Sequence, residues 1–399
     1  MRLIFVNRVY APSEAATAQL LTDLAPALAE HRWEVHVITS GAAGLPACES
    51  STGVTIHRTA PPRFSIRPLR RILQYAAFLR GARRQLARLA APDALIVLMT
   101  DPPMLAVAAT FVGLRRGARV VQWIQDIYPE IVPATIGAWS AVPLAPLRWV
   151  RNRAWRAADR CVTLSDGMRA VVDAQLGFPR SCRVIPNWAP RELETAPPPA
   201  AVAAQRATWG LTDKFVVAYS GNLGRVHEFD TVLAAAARLQ SCRDIVFLFA
   251  GGGARFPAVR DDARQRQLAN TVFVETQPRS NLAVSLAAAD VHLVTLRPGF
   301  ERLVFPSKVA GVLAAARPLL FVGPEGSEIA PLVTQHDCGA VVANGDAAAL
   351  AGQILHLRAG RSRWQQQGQN ARAVYARRYV LAEAVTAWER LLHELMAGT

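Results

Sequence analysis

Phe215-Val216-Val217-Ala218-Tyr219 runs directly into Ser220-Gly221-Asn222-Leu223-Gly224-Arg225. Five apolar or aromatic residues without helical spacing read as a strand buried on both faces, and the two glycines that follow read as a tight turn. A strand closed by such a turn opens a βα unit. Downstream the pattern repeats as helix Thr231 to Leu239, strand Ile245 to Ala250, strand Thr271 to Val274, helix Ser280 to Ala289 and strand Val291 to Leu296. It continues as helix Ser307 to Ala316, strand Leu319 to Val322, a short helix from Glu328, strand Ala340 to Ala343 and helix Ala347 to Leu357.

Upstream the same alternation holds. Strand Leu3 to Val6, helix Ala15 to Ala29 and strand Val35 to Thr39 precede a basic helix, then strand Ala94 to Thr100, an apolar helix from Pro103 and strand Arg119 to Ile124. A helix around Trp149 and strands Cys161 to Ser165 and Cys182 to Ile185 complete the first half. Between the halves, Ala189 to Pro199 is rich in proline and reads as a linker. The expectation is an α/β chain of two Rossmann-like, doubly wound domains facing a central cleft. Its boundaries are residues 1–188, a linker at 189–203, residues 204–379, and a last segment at 380–399.

Composition narrows the function. The 399 residues are 51% hydrophobic and 19% charged, enough apolar matter for two cores. Five cysteines without C-x-x-C spacing argue against a disulfide framework or a structural zinc and for a reducing, cytoplasmic setting. The short apolar start predicts no signal peptide, and no run reaches the roughly 18 apolar residues of a membrane span. The net charge of +15 is concentrated in residues 1–200, with 24 basic and 14 acidic residues. From Arg58 through Arg63, Arg67, Arg70, Arg71, Arg80, Arg83 and Arg84 to Arg88 no acid intervenes, and apolar residues are interleaved. That is the make-up of an interfacial helix on anionic lipid, or of an ordinary solvated helix in an arginine-rich chain. A second stretch, Arg148 to Arg160 with Trp149 and Trp155, either extends that face or anchors a solvated helix in the core. No zinc finger or stacking-aromatic signature supports nucleic acid as a partner.

Ligands of open α/β sheets bind beyond the carboxyl ends of the strands, so the loops there are the candidates. Gly221, Asn222, Gly224 and Arg225 form either a phosphate-cradling turn or simply a tight one. Gly251-Gly252-Gly253 lacks the acidic partner of a dinucleotide fingerprint, which counts against an NAD enzyme. Ser307 is placed as an N-cap, and Lys308 is one of only two lysines among 45 basic residues. A lysine at a helix start in an arginine-using chain suggests a compact phosphate contact, against the plainer reading of a surface lysine on a capped helix. In the first half, Asp126 follows a strand as either a loop anchor or a catalytic acid. Glu14 and Thr17 stand at a helix start after the first strand.

Taken together, Pro12-Ser13-Glu14-Ala15-Ala16-Thr17, Asp101-Pro102-Pro103, Gln125-Asp126-Ile127-Tyr128-Pro129, Ile185-Pro186-Asn187-Trp188, Tyr219 to Gly224, Ala289-Asp290-Val291 and Pro306-Ser307-Lys308 match a known pattern. The chain resembles the retaining, nucleotide-sugar-dependent glycosyltransferases of the GT-B fold, family four, and looks closest to bacterial enzymes of O-antigen, capsule and colanic-acid assembly, including fucosamine transferases. The resemblance implies that the second domain holds a nucleotide-sugar, a UDP-sugar by preference, and that a last helix at 380–399 crosses back to the first domain. Gly221 to Arg225 with Ser307 and Lys308 would be on the diphosphate and the loop around Gln277 on the base. The family's paired glutamates align on Leu303 and Gly311, neither acidic, so Glu301 or Glu325 would take the ribose. The family's basic pair aligns on Asn222 and His227, which leaves Arg225 as the nearest permanent cation.

With no D-x-D motif in the sequence, no metal or cofactor is expected, and Arg225, Lys308 and helix dipoles would carry the leaving charge. Asp126 would orient the acceptor hydroxyl or stabilise the oxocarbenium-like centre. The acceptor side, with Glu14 and Thr17, would take a saccharide or a polyprenyl-diphosphate-linked sugar at the inner face of the cytoplasmic membrane. A nucleotide-sugar epimerase of similar layout and a non-catalytic nucleotide-sugar-binding or partner-binding module are the competing readings.

Overall fold

The structure is a computed structural model that describes residues 1–41, 43–59, 68–177 and 182–397. It divides into two compact units. The first takes Met1–Asn187, the short segment Leu303–Phe305 and the helix Leu381–Ala397; the second takes Trp188–Arg302 and Pro306–Val380.

Eight strands form the sheet of the first unit: β1 (Arg2–Val6), β2 (Glu34–Ser40), β3 (Cys48–Ser51), β4 (Val54–Thr59), β5 (Ala94–Leu98), β6 (Arg119–Trp123), β7 (Arg160–Thr163) and β8 (Cys182–Val184). Their spatial order is β3-β4-β2-β1-β5-β6-β7-β8, parallel except for edge strand β3. β1 and β5 are fully buried but for Arg2, as continuous apolar runs in a parallel sheet must be. The second unit has six parallel strands, β9 (Phe215–Asn222), β10 (Ile245–Gly252), β11 (Thr271–Val274), β12 (Val291–Thr295), β13 (Leu319–Val322) and β14 (Gly339–Val342), in the order β11-β10-β9-β12-β13-β14. In each sheet the order reverses once, between β1 and β5 in one and between β9 and β12 in the other. Those are the points where ligands of such sheets sit.

Two details depart from the sequence reading. Arg58 does not open the basic helix. It lies buried in β4 with Nη2 2.7 Å from Oε1 of Glu49, and the helix begins at Pro68 (Pro68–Leu89). The alternation of Val54-Thr55-Ile56-His57 is the half-polar pattern of a strand near a sheet edge, which the arginine run masked. Arg63 and Arg67 lie outside the described residues, as does the side chain of Arg71.

Residues 189–203 are not a free-standing spacer. They fold into the second unit as a single 3-10 turn (Arg191–Leu193) and the start of helix Pro199–Thr208, and Arg372 donates to the carbonyls of Leu193 (2.8 Å) and Ala314 (2.6 Å). Proline suits the first turn of a helix, so the run that looks like a linker marks a helix start.

The last helix spans Leu381–Ala397 and completes the core of the first unit. Trp388 meets Trp123 edge-on at 4.9 Å, and Glu389 pairs with His31 at 2.8 Å. Among the described residues no helix is long and apolar enough to cross a membrane.

Candidate functional sites

In the second unit β9 runs on through Gly221 and Asn222, paired with Gly251 and Gly252, and this strand end with the turn after it sits at the sheet's reversal point, its shape forced by neighbouring backbone. Gly251 (φ +152°) passes so close to Gly221 that a Cβ there would stand 2.0 Å from the Gly221 carbonyl oxygen; at Gly253 (φ +113°) it would stand 2.1 Å from Oδ1 of Asn222. Only glycine permits both the approach and the backbone conformation. The Tyr219 hydroxyl donates to the Asn222 carbonyl (3.1 Å) and the Leu223 amide to the Gly252 carbonyl (2.7 Å), which fixes the turn from both sides. Gly221, Asn222 and Arg225 are exposed, and Gly224 is half-buried.

Lys308 comes to this turn from a distant point in the chain. Its Cε lies 3.6 Å from where a Cβ of Gly221 would be, its Nζ stands 4.7 Å from the Tyr219 ring centre, and the same Nζ is 2.9 Å from Nε2 of His227. Nδ1 of His227 is 2.6 Å from the Thr295 carbonyl oxygen, a pure acceptor, so the ring carries its proton on Nδ1 and offers Nε2 as a lone pair to the lysine. Loss of water around the ammonium pushes the Lys308 pKa down to about 7. Burial, with the lysine's charge beside it, holds His227 well below the usual histidine range. The pair is a hydrogen-bond-donating point whose positive charge a bound anion would favour.

Ser307 stands at the N-cap position of the short helix Lys308–Ala314, but it has helical backbone angles and its hydroxyl makes no capping bond. The expected cap is therefore absent; the exposed hydroxyl is left to face outward. The helix after the turn, Asp230–Arg238, is capped instead by Glu228, whose Oε1 accepts from the Thr231 amide at 2.8 Å. Gln277 lies beyond β11, donating to the Glu275 carbonyl (3.0 Å) and accepting from Asn281 (3.2 Å). Glu301 accepts from the Gly299 amide at 3.0 Å. Among the described residues neither is hydrogen-bonded or ion-paired to the Gly221 turn.

The first unit has its own constellation at the β1/β5 reversal point. Arg8, just past β1, makes a two-pronged ion pair with Asp101, just past β5, with both N–O distances 2.7 Å. Asp126 follows β6 and is half-buried, bridging in antiparallel fashion to Val304, while the Ile127 amide donates to the Leu303 carbonyl (3.1 Å). Its carboxyl lines a pocket with Met99, Met104, Tyr128, Arg151 and Trp155. That apolar setting, with a lesser push from the Asp101 charge, raises the Asp126 pKa to about 6. Arg151, expected on a basic outer face, is instead buried, clamped on Glu130 (2.7 and 2.8 Å) and stacked 3.8 Å over Trp155. Glu14 is exposed and Thr17 half-buried at the start of helix Ala16–Glu30, where Gln19 donates to the Glu14 carbonyl (2.9 Å). Among the described residues neither is hydrogen-bonded or ion-paired to Asp126.

Two pairings escaped sequence reading. His227 is marked there only by alignment, and its contact with Lys308 shows only in the fold. The Arg8–Asp101 pair was signalled by a lone cation just past one central strand and a lone acid just past the other.

Comparison with known proteins shows what the chain is similar to. The family described as Glycosyltransferase Family 4 matches residues 17–192, and that described as Glycosyl transferases group 1 matches residues 214–359. The probable glycosyltransferase WbjE of Pseudomonas aeruginosa is 30% identical over 63% of this chain and 63% of its own length. The putative colanic acid biosynthesis glycosyl transferase WcaI of Escherichia coli is 33% identical over 32% of each chain. The aligned part thus spans less than two thirds of either relative. Among solved structures, a sucrose-phosphate synthase from Thermosynechococcus elongatus superposes with a TM-score of 0.80 at 18% identity over 100% of both chains. Anabaena HepE in complex with UDP-glucose gives 0.75 at 16% identity, covering 99% of this chain and 100% of that one. The first half is thus similar to Glycosyltransferase Family 4 and the second to Glycosyl transferases group 1, and the fold throughout is the GT-B fold of glycosyltransferases.

Proposed function

We propose that the protein moves a sugar from a nucleoside-diphosphate-sugar, a UDP-sugar by preference, to a saccharide or polyprenyl-diphosphate-linked acceptor in cell-surface polysaccharide assembly, with retention of anomeric configuration. The observation that carries this reading is Lys308 held by His227 against the Gly221 turn at the reversal point of the second sheet. HepE, of the same fold, is recorded with UDP-glucose, and WcaI is described as a putative colanic acid biosynthesis glycosyl transferase, which supports the donor and pathway classes.

In this reading the departing diphosphate places its growing charge on Lys308, Arg225 and the turn amides, in the role that a divalent ion fills elsewhere. Gln277 takes the base and Glu301 the ribose. Asp126 orients the acceptor hydroxyl, and Glu14 and Thr17 line the acceptor's approach. The enzyme works at the cytoplasmic face of the membrane.

The test is a thermal-shift screen against UDP, GDP and ADP and their sugar conjugates, repeated on Lys308→Ala and Arg225→Ala. A rise with one nucleotide family that both variants lose supports the donor site. Release of free nucleoside diphosphate only when acceptor is present then marks transfer. A changed sugar without acceptor would mean an epimerase, and binding without turnover a non-catalytic module.

A further inference from the structure

Between Glu130 and Asp159 the chain carries Arg148, Arg151, Arg153 and Arg156 and no acid. The same interval leaves large apolar side chains in water: Ile136 (50% exposed), Trp139 (71%), Val142 (78%), Leu147 (40%) and Trp149 (63%). These are five of the ten large hydrophobic side chains exposed among the described residues, gathered within fourteen positions. Two more, Ile72 and Leu73, open the helix Pro68–Leu89, which exposes Arg70, Arg80, Arg83, Arg84 and Arg88 and likewise has no acid. Helix Leu105–Arg115 packs against both Pro68–Leu89 and Ala145–Ala157, so the two segments belong to one layer of the first unit.

The exposure is not left over from an unfinished core. Helix Ala145–Ala157 already buries Arg151, Asn152, Ala154 and Trp155, and Trp149 points elsewhere. Trp139 is held outward by a 3-10 turn after Gly137, and its indole N–H donates to the Ile136 carbonyl at 3.1 Å. The ring can therefore leave water without stranding a bare donor. Exposed tryptophan over apolar neighbours, rimmed by arginine, matches the headgroup zone of a bilayer. A second copy of the chain fits poorly, since a two-fold contact would set Arg148 and Arg153 against their own like with no acid to answer them.

We propose that Ile136–Trp149 is a membrane-docking face, in which Trp139, Val142 and Trp149 enter the headgroup region of an anionic bilayer while Arg148, Arg153 and the arginines of Pro68–Leu89 pair with lipid phosphates. This deepens the cellular location proposed above, yet it rests on the first unit alone, and its test needs no nucleotide-sugar.

The full chain is sedimented, without nucleotide, with vesicles of phosphatidylcholine alone or with about 30% phosphatidylglycerol, an anionic fraction chosen to attract basic segments. The wild type is expected to bind only the anionic vesicles, and the pair Trp139→Ala with Trp149→Ala to lose at least about tenfold in binding, the two largest apolar side chains of the face being gone. Because both rings are exposed, the variant's circular dichroism and melting should match the wild type. Val142→Asp, a single exposed change, should weaken binding in the same sense. On the unaltered protein, brominated acyl chains should quench tryptophan fluorescence. Equal binding by the double variant, no binding by the wild type, or a dimer in light scattering that the double variant breaks would each overturn the assignment.

Discussion

The Nζ of Lys308 lies 2.9 Å from Nε2 of His227, and the other nitrogen of that ring is committed to the Thr295 carbonyl at 2.6 Å. The lysine thus faces a lone pair where a carboxylate would be usual, and with its pKa near 7 it is part amine and part ammonium in neutral solution. A diphosphate arriving beside it favours the ammonium. Binding of UDP at pH 8 should therefore take up a proton, as much as about one per site. Calorimetry in two buffers of different ionisation enthalpy measures that uptake, and Lys308→Arg, always charged, should show none. Affinity should fall as pH rises above 7. Zero uptake by the wild type would remove Lys308 from the site.

The same lysine lowers the stability of the empty protein. Its folded pKa of about 7 lies below the unfolded value of about 10.4, so between those limits the unfolded chain holds a proton the folded chain lacks, and stability rises with pH across that window. Lys308→Met should flatten the rise and melt higher than wild type at pH 7 while no longer responding to UDP. A lower melting temperature would show that the lysine's contacts outweigh its desolvation.

Asp126 titrates in the opposite setting. Its folded pKa of about 6 exceeds the unfolded carboxyl value of about 3.9, so folding binds a proton between those limits and stability falls as pH rises from about 4 to 6. Asp126→Asn should be more stable than wild type above pH 6. It should also lose about 10²- to 10⁴-fold in kcat, the span usual for a positioned acid or base, with UDP binding intact. Stability without loss of turnover would make Asp126 a loop anchor only.

Asp101 is the second cause of that raised pKa. Asp101→Asn should move the acid limb of the pH–rate profile to lower pH, because one negative neighbour is gone. A limb fixed near pH 6 would leave burial as its only source.

Trp388 is fully buried against Trp123. Trp388→Ala should cost about 3–5 kcal/mol, as for other large-to-small aromatic truncations. In calorimetry the first unit's transition should drop while the second unit's stays in place. A joint shift would mean that the two units unfold together.

Much of this architecture is legible from the residues. β1, β5, β9 and β10 announce themselves as unbroken apolar runs, and the Gly221 turn follows from its glycines. β3 and β4 hide because edge strands alternate and carry polar residues, and because Arg58 blends into the arginines that follow it. The proline run before residue 200 misleads because proline serves a spacer and a helix start equally well. Single side chains are harder. Lys308 is conspicuous by composition, but its partner His227 lies 81 positions away, and only folding joins them. Nor does the sequence separate Trp149, which is exposed, from Trp155, which is buried six residues later on the same helix.

The helix Leu381–Ala397 has a consequence for how the protein is made. A ribosome finishes β1 through β8, then all six strands of the second sheet, before it reaches Trp388, the residue that seals the first core. During that interval Trp123 and the apolar face of helix Ala16–Glu30 wait unsealed, so the first half synthesised is the second to mature. A released chain truncated after Val380 should accordingly hold a protease-resistant second unit beside a first unit that is still cleavable, the state in which a chaperone would have most to protect.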